Sequence, residues 1–188
     1  MRAVVGLGNP GPTYAATRHN LGFWVLERLL KKNHWTKEIF PWGEVFQKGE
    51  ALLLRPLTFM NLSGQAVAEL CRRFSLSPGE LLIVYDDVDL PLGEVRLRPA
   101  GGPGTHRGMQ SVLFALGTED VPRLRIGIGA PPPNTDLRDF VLSPPKPEEA
   151  LVLAEACDFA AELASIFLEN GLSVALDAFS RRRPARPV

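Results

Sequence analysis

The stretch from Val4 to Trp24 constrains this chain more than any other. An apolar strand, Arg2 to Leu7, runs straight into a turn rich in glycine and proline, and a helix follows only after the tetrad Thr17-Arg18-His19-Asn20. Gly6, Gly8 and Gly11 let the backbone take positive φ and let another molecule approach it, while Pro10 and Pro12 stiffen the same turn. A flexible linker would not combine the two. Asn9 sits at the tip with a short amide that both donates and accepts. His19 falls beside the start of an apolar helix, Leu21 to Lys31, whose positive dipole end disfavours imidazolium. A neutral imidazole is what a general base needs near pH 7. A lone histidine in such a place is ordinarily a solvated helix residue; with Asn9, Tyr14 and Asn20 around it, the chemical reading takes precedence.

Strand followed by helix points to a layered α/β fold, and the rest of the chain extends it. Glu44 to Lys48 and Ala51 to Leu57 read as two strands joined at Gly49-Glu50, a hairpin, so the sheet should be mixed. Asn61 or Ser63 can cap a helix carrying Val67, Leu70, Cys71 and Phe74 on one face, ended by Ser77-Pro78-Gly79. Leu81 to Tyr85 is a continuous apolar run, as expected of a central strand buried on both faces. Glu94 to Arg98 alternates, with Val95 and Leu97 inward. A loop from Pro99 to Thr105, read as mobile and suited to a gate, leads to a helix through Met109, Val112, Leu113 and Leu116 that stops at Gly117. Arg123 to Gly129 is a strand, Asp136 to Leu142 a short segment after a proline-rich bend, and Glu148 to Asn170 a long helix stopped by Gly171, with a last short helix behind it. The expected architecture is a single-domain three-layer fold over residues 1–180, a mixed twisted β-sheet flanked by helices, with a basic, flexible tail at 181–188.

Composition narrows the class of function. With 188 residues, 45% hydrophobic and 22% charged, the chain suits one soluble domain with a sizeable core. The first residues lack a signal-peptide pattern and no apolar run approaches the ~20 residues of a membrane span, so the expectation is a cytoplasmic protein that does not meet a membrane. Cys71 and Cys157 lie at apolar helix positions and read as buried free thiols. Net charge is zero, yet Pro147 to Ser180 holds seven acids and no Lys or Arg, whereas Arg96 to Arg125 holds five Arg against Glu119 and Asp120. A neutral total can therefore hide one basic face, as an RNA-binding enzyme would want.

Ester hydrolysis needs a water, a base to take its proton, and donors aimed at the developing oxyanion. No Gly-x-Ser-x-Gly elbow is present, which argues against a serine hydrolase. His19 is the best base, since His34 follows a lysine-rich helix end and His106 lies in the loop read as mobile. Asp86, at the end of the buried strand, is the candidate to fix its tautomer. Asn9 and Asn61 could meet at the same sheet edge as neutral donors.

The blocks GLGNPG, Tyr14, TRHN, PLTFMNLSG (Pro56 to Gly64), DDVDLPLG (Asp86 to Gly93) and RLRIGIG (Arg123 to Gly129) together resemble the bacterial type of peptidyl-tRNA hydrolase. The resemblance covers nearly the whole chain. It implies cleavage of the ester between a peptide and the terminal ribose of tRNA, with peptidyl-tRNA as partner and no cofactor or metal. It places the base on His19, the orienting carboxylate on Asp86 and positioning roles on Asn9 and Asn61, with Tyr14 and Met60 lining the site. It also implies a clamp for tRNA phosphate from Arg98 and Arg125, Arg98 standing where the family commonly has Lys. One position departs: where the family usually reads His-Asn-Gly, this chain has His106-Arg107-Gly108, and Arg107 is assigned to substrate or tRNA phosphate. A monomer is the default.

Three other readings stand beside this one. Gly6-x-Gly8-x-x-Gly11 formally matches a dinucleotide fingerprint, but Pro10 and Pro12 interrupt the turn and no helix begins at Gly11. Asp86, Asp87 and Asp89 could hold a divalent cation; the preferred reading has Asp87 and Asp89 shape the loop while Asp86 meets His19. A non-catalytic tRNA- or RNA-binding module on the same fold is the remaining alternative.

Overall fold

A computed structural model describes residues 1–182. The parts of the expected tail at 183–188 lie outside the described residues; Arg181 and Arg182 belong to the last helix. Seven strands form one sheet: β1 (Arg2–Gly6), β2 (Thr36–Phe40), β3 (Gly43–Lys48), β4 (Ala51–Pro56), β5 (Leu81–Asp87), β6 (Val95–Arg98) and β7 (Arg123–Gly127), in the order β2-β3-β4-β1-β5-β7-β6. The four inner strands β4, β1, β5 and β7 run parallel, and their apolar runs are buried on both faces. β3 and β6 pair antiparallel with them, and β2 extends the sheet antiparallel to β3, so the sheet is mixed as expected.

Helices cover both faces. α1 (Leu21–Lys32), α5 (Pro147–Asn170) and α6 (Leu172–Arg182) pack with Val4, Leu53, Leu82, Val84, Leu97 and Leu124 in one core. α2 (Ser63–Phe74) and α3 (Arg107–Leu116) pack against each other and over Val5, Leu54, Ile83 and Tyr85 in the other. A short helix, α4 (Leu137–Val141), is capped by Asp136, whose carboxylate accepts from the amides of Arg138 and Asp139.

The structure departs from the sequence reading in four places. β2 is a strand that the sequence reading does not contain. α2 is capped by neither Asn61 nor Ser63: a turn of 3₁₀ helix, Met60–Leu62, leads into it, and Ser63 Oγ instead donates to the Met60 carbonyl. The helix ends at Ser75, in the left-handed conformation, before the Ser77-Pro78-Gly79 segment. The loop 99–105 is anchored at its start, because the buried Arg123 guanidinium donates to the carbonyls of Gly101 and Gly102 at 2.6 and 2.9 Å.

Candidate active site

Because β1, β4 and β5 are parallel, their carboxyl ends open at one sheet edge, and the chain leaving each strand brings a polar group there. The turn after β1 brings Asn9, the 3₁₀ turn after β4 brings Met60 and Asn61, and β5 itself ends in Asp86. α1 reaches this edge through a close approach: a Cβ on Gly22 would stand 2.4 Å from the Leu7 amide nitrogen, and one on Gly6 would stand 2.3 Å from the Gly22 carbonyl oxygen. Only glycine at both places lets the helix start sit on the strand end and carry His19 over Asp86.

Each member of the Thr17-Arg18-His19-Asn20 tetrad has a separate task. Thr17 Oγ1 donates to the Tyr14 carbonyl and closes the preceding turn. Arg18 is buried, donates to the Phe140 carbonyl and to Ser143 Oγ, pairs with Glu149 at 3.1 Å and lies 4.2 Å over the Phe140 ring. It ties α4 and α5 to the site. Asn20 receives the Asn9 amide on Oδ1 and donates Nδ2 to the Asn9 carbonyl, both at 2.9 Å, which fixes the glycine-proline turn. His19, in a 3₁₀ turn ahead of α1, meets Asp86 Oδ2 through Nδ1 at 2.8 Å.

Asp86 also meets a second ring. His106 Nε2 lies 3.0 Å from Asp86 Oδ1, while His106 Nδ1 accepts the Met109 amide and so caps α3. That cap places the proton on Nε2, which donates to the carboxylate. Asp86 is only 1% exposed in its side chain and holds both rings. Burial alone would raise its pKa, but the two imidazoles outweigh it and drive the carboxyl well below its usual range. For His19 burial disfavours the charged form, yet the charge and hydrogen bond of Asp86 more than offset it, so its pKa is raised above 6.5. The helix-dipole expectation for His19 is thus corrected: the neighbouring carboxylate, and not the helix end, sets the balance.

These groups form the floor of a cavity of about 810 Å³. Asn9, Tyr14, Met60, Asn61 and Arg107 all line it, as does His106, which the sequence reading leaves in a mobile loop. Asn9 is nearly buried, and its Oδ1 accepts the Met60 amide at 2.7 Å, which leaves Nδ2 as a donor towards the cavity. Tyr14 meets Phe59 edge to face with ring centroids 6.4 Å apart, and Phe59, also missed from sequence, completes that lip. α4 forms the facing wall through Leu137, Arg138 and Val141. The signal for His106 was its place directly before an apolar helix, an N-cap position.

Arg98 and Arg125 do not line the cavity. Arg96 pairs in register with Arg125 and Arg98 with Arg123, so these arginines share the face of β6 and β7 opposite Leu97, Leu124 and Ile126. Arg125 pairs with Asp87 at 3.0 Å and Arg98 donates to the Leu97 carbonyl. Asp87 also accepts the Asp89 amide, so it shapes its loop as expected while Asp86 faces the histidines. Among the described residues the group suited to a metal is His19, Asp86 and His106, with ligand atoms within 4.8 Å of one another, and not the aspartate trio. Both cysteines are free; Cys157 is buried and Cys71 partly so, with burial pushing their thiols up to about 12 and about 11. Neither cysteine lines the cavity.

Comparison with known proteins gives the family and the fold. Residues 3–186 match the family model described as peptidyl-tRNA hydrolase. A peptidyl-tRNA hydrolase from Thermotoga sp. (strain RQ2) is 43% identical over 94% of this chain and 96% of its own length. One from Chloroflexus aggregans is 44% identical over 96% of this chain and 99% of its own. The crystal structure of peptidyl-tRNA hydrolase from Acinetobacter baumannii superposes with a TM-score of 0.89 at 33% identity, covering 98% of this chain and 97% of that one.

Proposed function

The chain belongs to the peptidyl-tRNA hydrolase family, and from that premise we propose that it hydrolyses the ester joining a peptide to the terminal ribose of tRNA, with His19 as a metal-free general base. The observation that carries the proposal is the 2.8 Å contact of His19 Nδ1 with the buried Asp86, on the floor of the cavity. With Nδ1–H donated to Asp86, the lone pair of Nε2 is free to take a proton from water. The hydroxide attacks the ester carbonyl, and the oxyanion meets the amide donors of Asn9 and Asn61. Asp86 stabilises the imidazolium formed in that step, and the same proton then passes to the ribose oxygen as the ester bond breaks. The products are a peptide carboxylic acid and a tRNA with a free hydroxyl.

Tyr14 and Met60 shape the cavity around the ester, and Arg107, at its exposed rim, holds a phosphate. Arg98 and Arg125 grip tRNA phosphate farther out, Arg125 exchanging its Asp87 partner for it. A binding module without activity is not favoured, because phosphate recognition has no use for a buried carboxylate set on an imidazole.

The test is release of tRNA from an N-acetylated aminoacyl-tRNA beside the unblocked form, with EDTA present and His19→Ala as control. Cleavage of the blocked ester alone, unaffected by EDTA and nearly abolished by His19→Ala, is the expected result. Binding of tRNA without release overturns the proposal.

A further inference from the structure

Phe114 is the most exposed large apolar residue described, at 91%, although it lies on a helix whose other large apolar residues face the core. At about 100° per residue, α3 directs Met109, Val112 and Leu113 inward and sets Ser111 against α2, where Ser111 Oγ receives the Gly64 amide. Arg107, Gln110 and Phe114, at i, i+3 and i+7, then share one exposed stripe beside Ser111. Gln110 donates to the Gly104 carbonyl, so this flank borders the loop that Arg123 anchors. Arg107, at its upper end, lines the cavity. The flank thus starts at the rim of the active site and borders the loop that follows β6.

We infer that this flank of α3 is a platform for the single-stranded 3′ end of tRNA, with Arg107 holding a phosphate and Phe114 stacking on a base upstream of the terminal nucleotide. The inference rests on the proposed function, which puts the terminal ribose at His19 and requires the preceding nucleotides to leave the cavity along its rim. The seven helical steps from Arg107 to Phe114 span about 10 Å, the run of about three stacked nucleotides at about 3.4 Å each. An aromatic face serves any base, and a guanidinium beside it serves the backbone that every base carries; that combination is how single strands are held without reading sequence. A partner protein would be expected to need a contiguous apolar patch, whereas Phe114 stands beside Gln110 and Arg107.

The test measures Kd by fluorescence anisotropy for a labelled single-stranded RNA bearing the tRNA 3′ sequence, together with KM and kcat on N-acetylated aminoacyl-tRNA. Phe114→Ala is expected to raise Kd and KM about 5- to 100-fold, the range of one lost base stack, and Phe114→Trp to restore both. Because the ring is solvated, an unchanged Tm should accompany the loss. Arg107→Ala should lower the slope of log Kd against log salt by about one. If Phe114→Ala leaves Kd and KM as in the parent protein, the platform is overturned even though the ester is still cleaved. It is overturned as well if Phe114→Ala abolishes a concentration-dependent dimer while RNA binding is unaltered. Failure to cleave any blocked ester, with RNA binding still sensitive to Phe114, would overturn the hydrolase reading and leave the platform standing.

Discussion

Replacing Asp86 by Asn tests the core of the site, because the carboxylate does two things that an amide of the same shape cannot do together. It accepts from His19 Nδ1 at 2.8 Å and from His106 Nε2 at 3.0 Å, in a side chain 1% exposed. An amide has one oxygen, so it can accept from one ring only and must point N–H groups at the other. If the NH₂ faces His19, the imidazole proton moves to Nε2 and the lone pair needed in the cavity is lost. If the oxygen faces His19, the NH₂ opposes the His106 Nε2–H, and relieving that clash would sacrifice the cap on the Met109 amide. A charge-assisted hydrogen bond of about 1.5–3 kcal/mol disappears in either case, as does the stabilisation of the imidazolium. The combined loss is about 3–5 kcal/mol of barrier, or about 10²- to 10⁴-fold in kcat/KM.

The pH dependence supplies the sign. His19 acts when neutral and its pKa is raised, so kcat/KM of the parent protein should fall as pH drops through a value above 6.5. In Asp86→Asn burial persists while the carboxylate is gone, so this acid limb moves to lower pH. Stability moves too. The raised His19 pKa contributes stability that is full below the unfolded value of about 6.5 and is lost as pH rises through the folded one. The depressed Asp86 pKa contributes stability that is present above about 3.9 and is lost as pH falls towards its folded value. In Tm profiles of the variant the Asp86 dependence should vanish, and the His19 dependence should change sign, because a buried imidazole without its carboxylate loses stability as pH falls. Rate profiles on N-acetylated aminoacyl-tRNA decide the matter: activity within tenfold of the parent, or an acid limb that does not move, would refute the reasoning.

Further outcomes follow from neighbouring contacts. Arg123→Met takes the guanidinium donor from the carbonyls of Gly101, Gly102 and Val121, while the Glu119 carbonyl keeps the Gly101 amide, so calorimetry should show Tm lower by about 4–15 °C for a loss of about 2–4 kcal/mol. kcat should fall as well, since the loop carries His106; an unchanged Tm would mean that the staple is idle. Asn9→Ala removes both the acceptor of the Met60 amide and the donor facing the cavity, and steady-state kinetics should show a loss of about 10²-fold in kcat. Excess Zn²⁺ is expected to inhibit, because an ion seated among His19, Asp86 and His106 would displace the N–H protons that hold the base in register. A rate stimulated by Zn²⁺, or abolished by EDTA, would contradict that.

The parallel strands were legible in the sequence because a strand buried on both faces must be apolar throughout, as Leu81 to Tyr85 is. β2 was not legible: four of its five residues, Thr36 to Ile39, are exposed, and backbone pairing with β3 holds it with no side-chain pattern to show for it. His19 and Asp86 could be paired because a general base needs a buried acid and the chain offers one at a strand end. His106 escaped because its loop looks free when read locally. What restrains that loop is Arg123, distant in sequence, and the Arg18–Glu149 pair is hidden in the same way. Backbone and ion-pair contacts made at long range leave no periodicity behind.

The charge pattern, by contrast, gains its meaning only from the fold. The acids of α5 lie in the layer with α1 and α6, and several are already paired, Glu149 with Arg18, Asp158 with Arg28 and Glu162 with Arg182. The arginines of β6 and β7 face the opposite side, and Arg107 stands on α3 in that second layer. The α5 acids left unpaired among the described residues and the arginines gathered on β6, β7 and α3 give a neutral chain two unlike sides, of which the second suits a polyanion better. The attractive side is the one on which α3 leads into the cavity. Under the proposed function, these arginines would favour RNA docking on that face, and the reach from its rim to His19 would favour the end of the RNA, so that the fold would restrict the substrate before any base is touched.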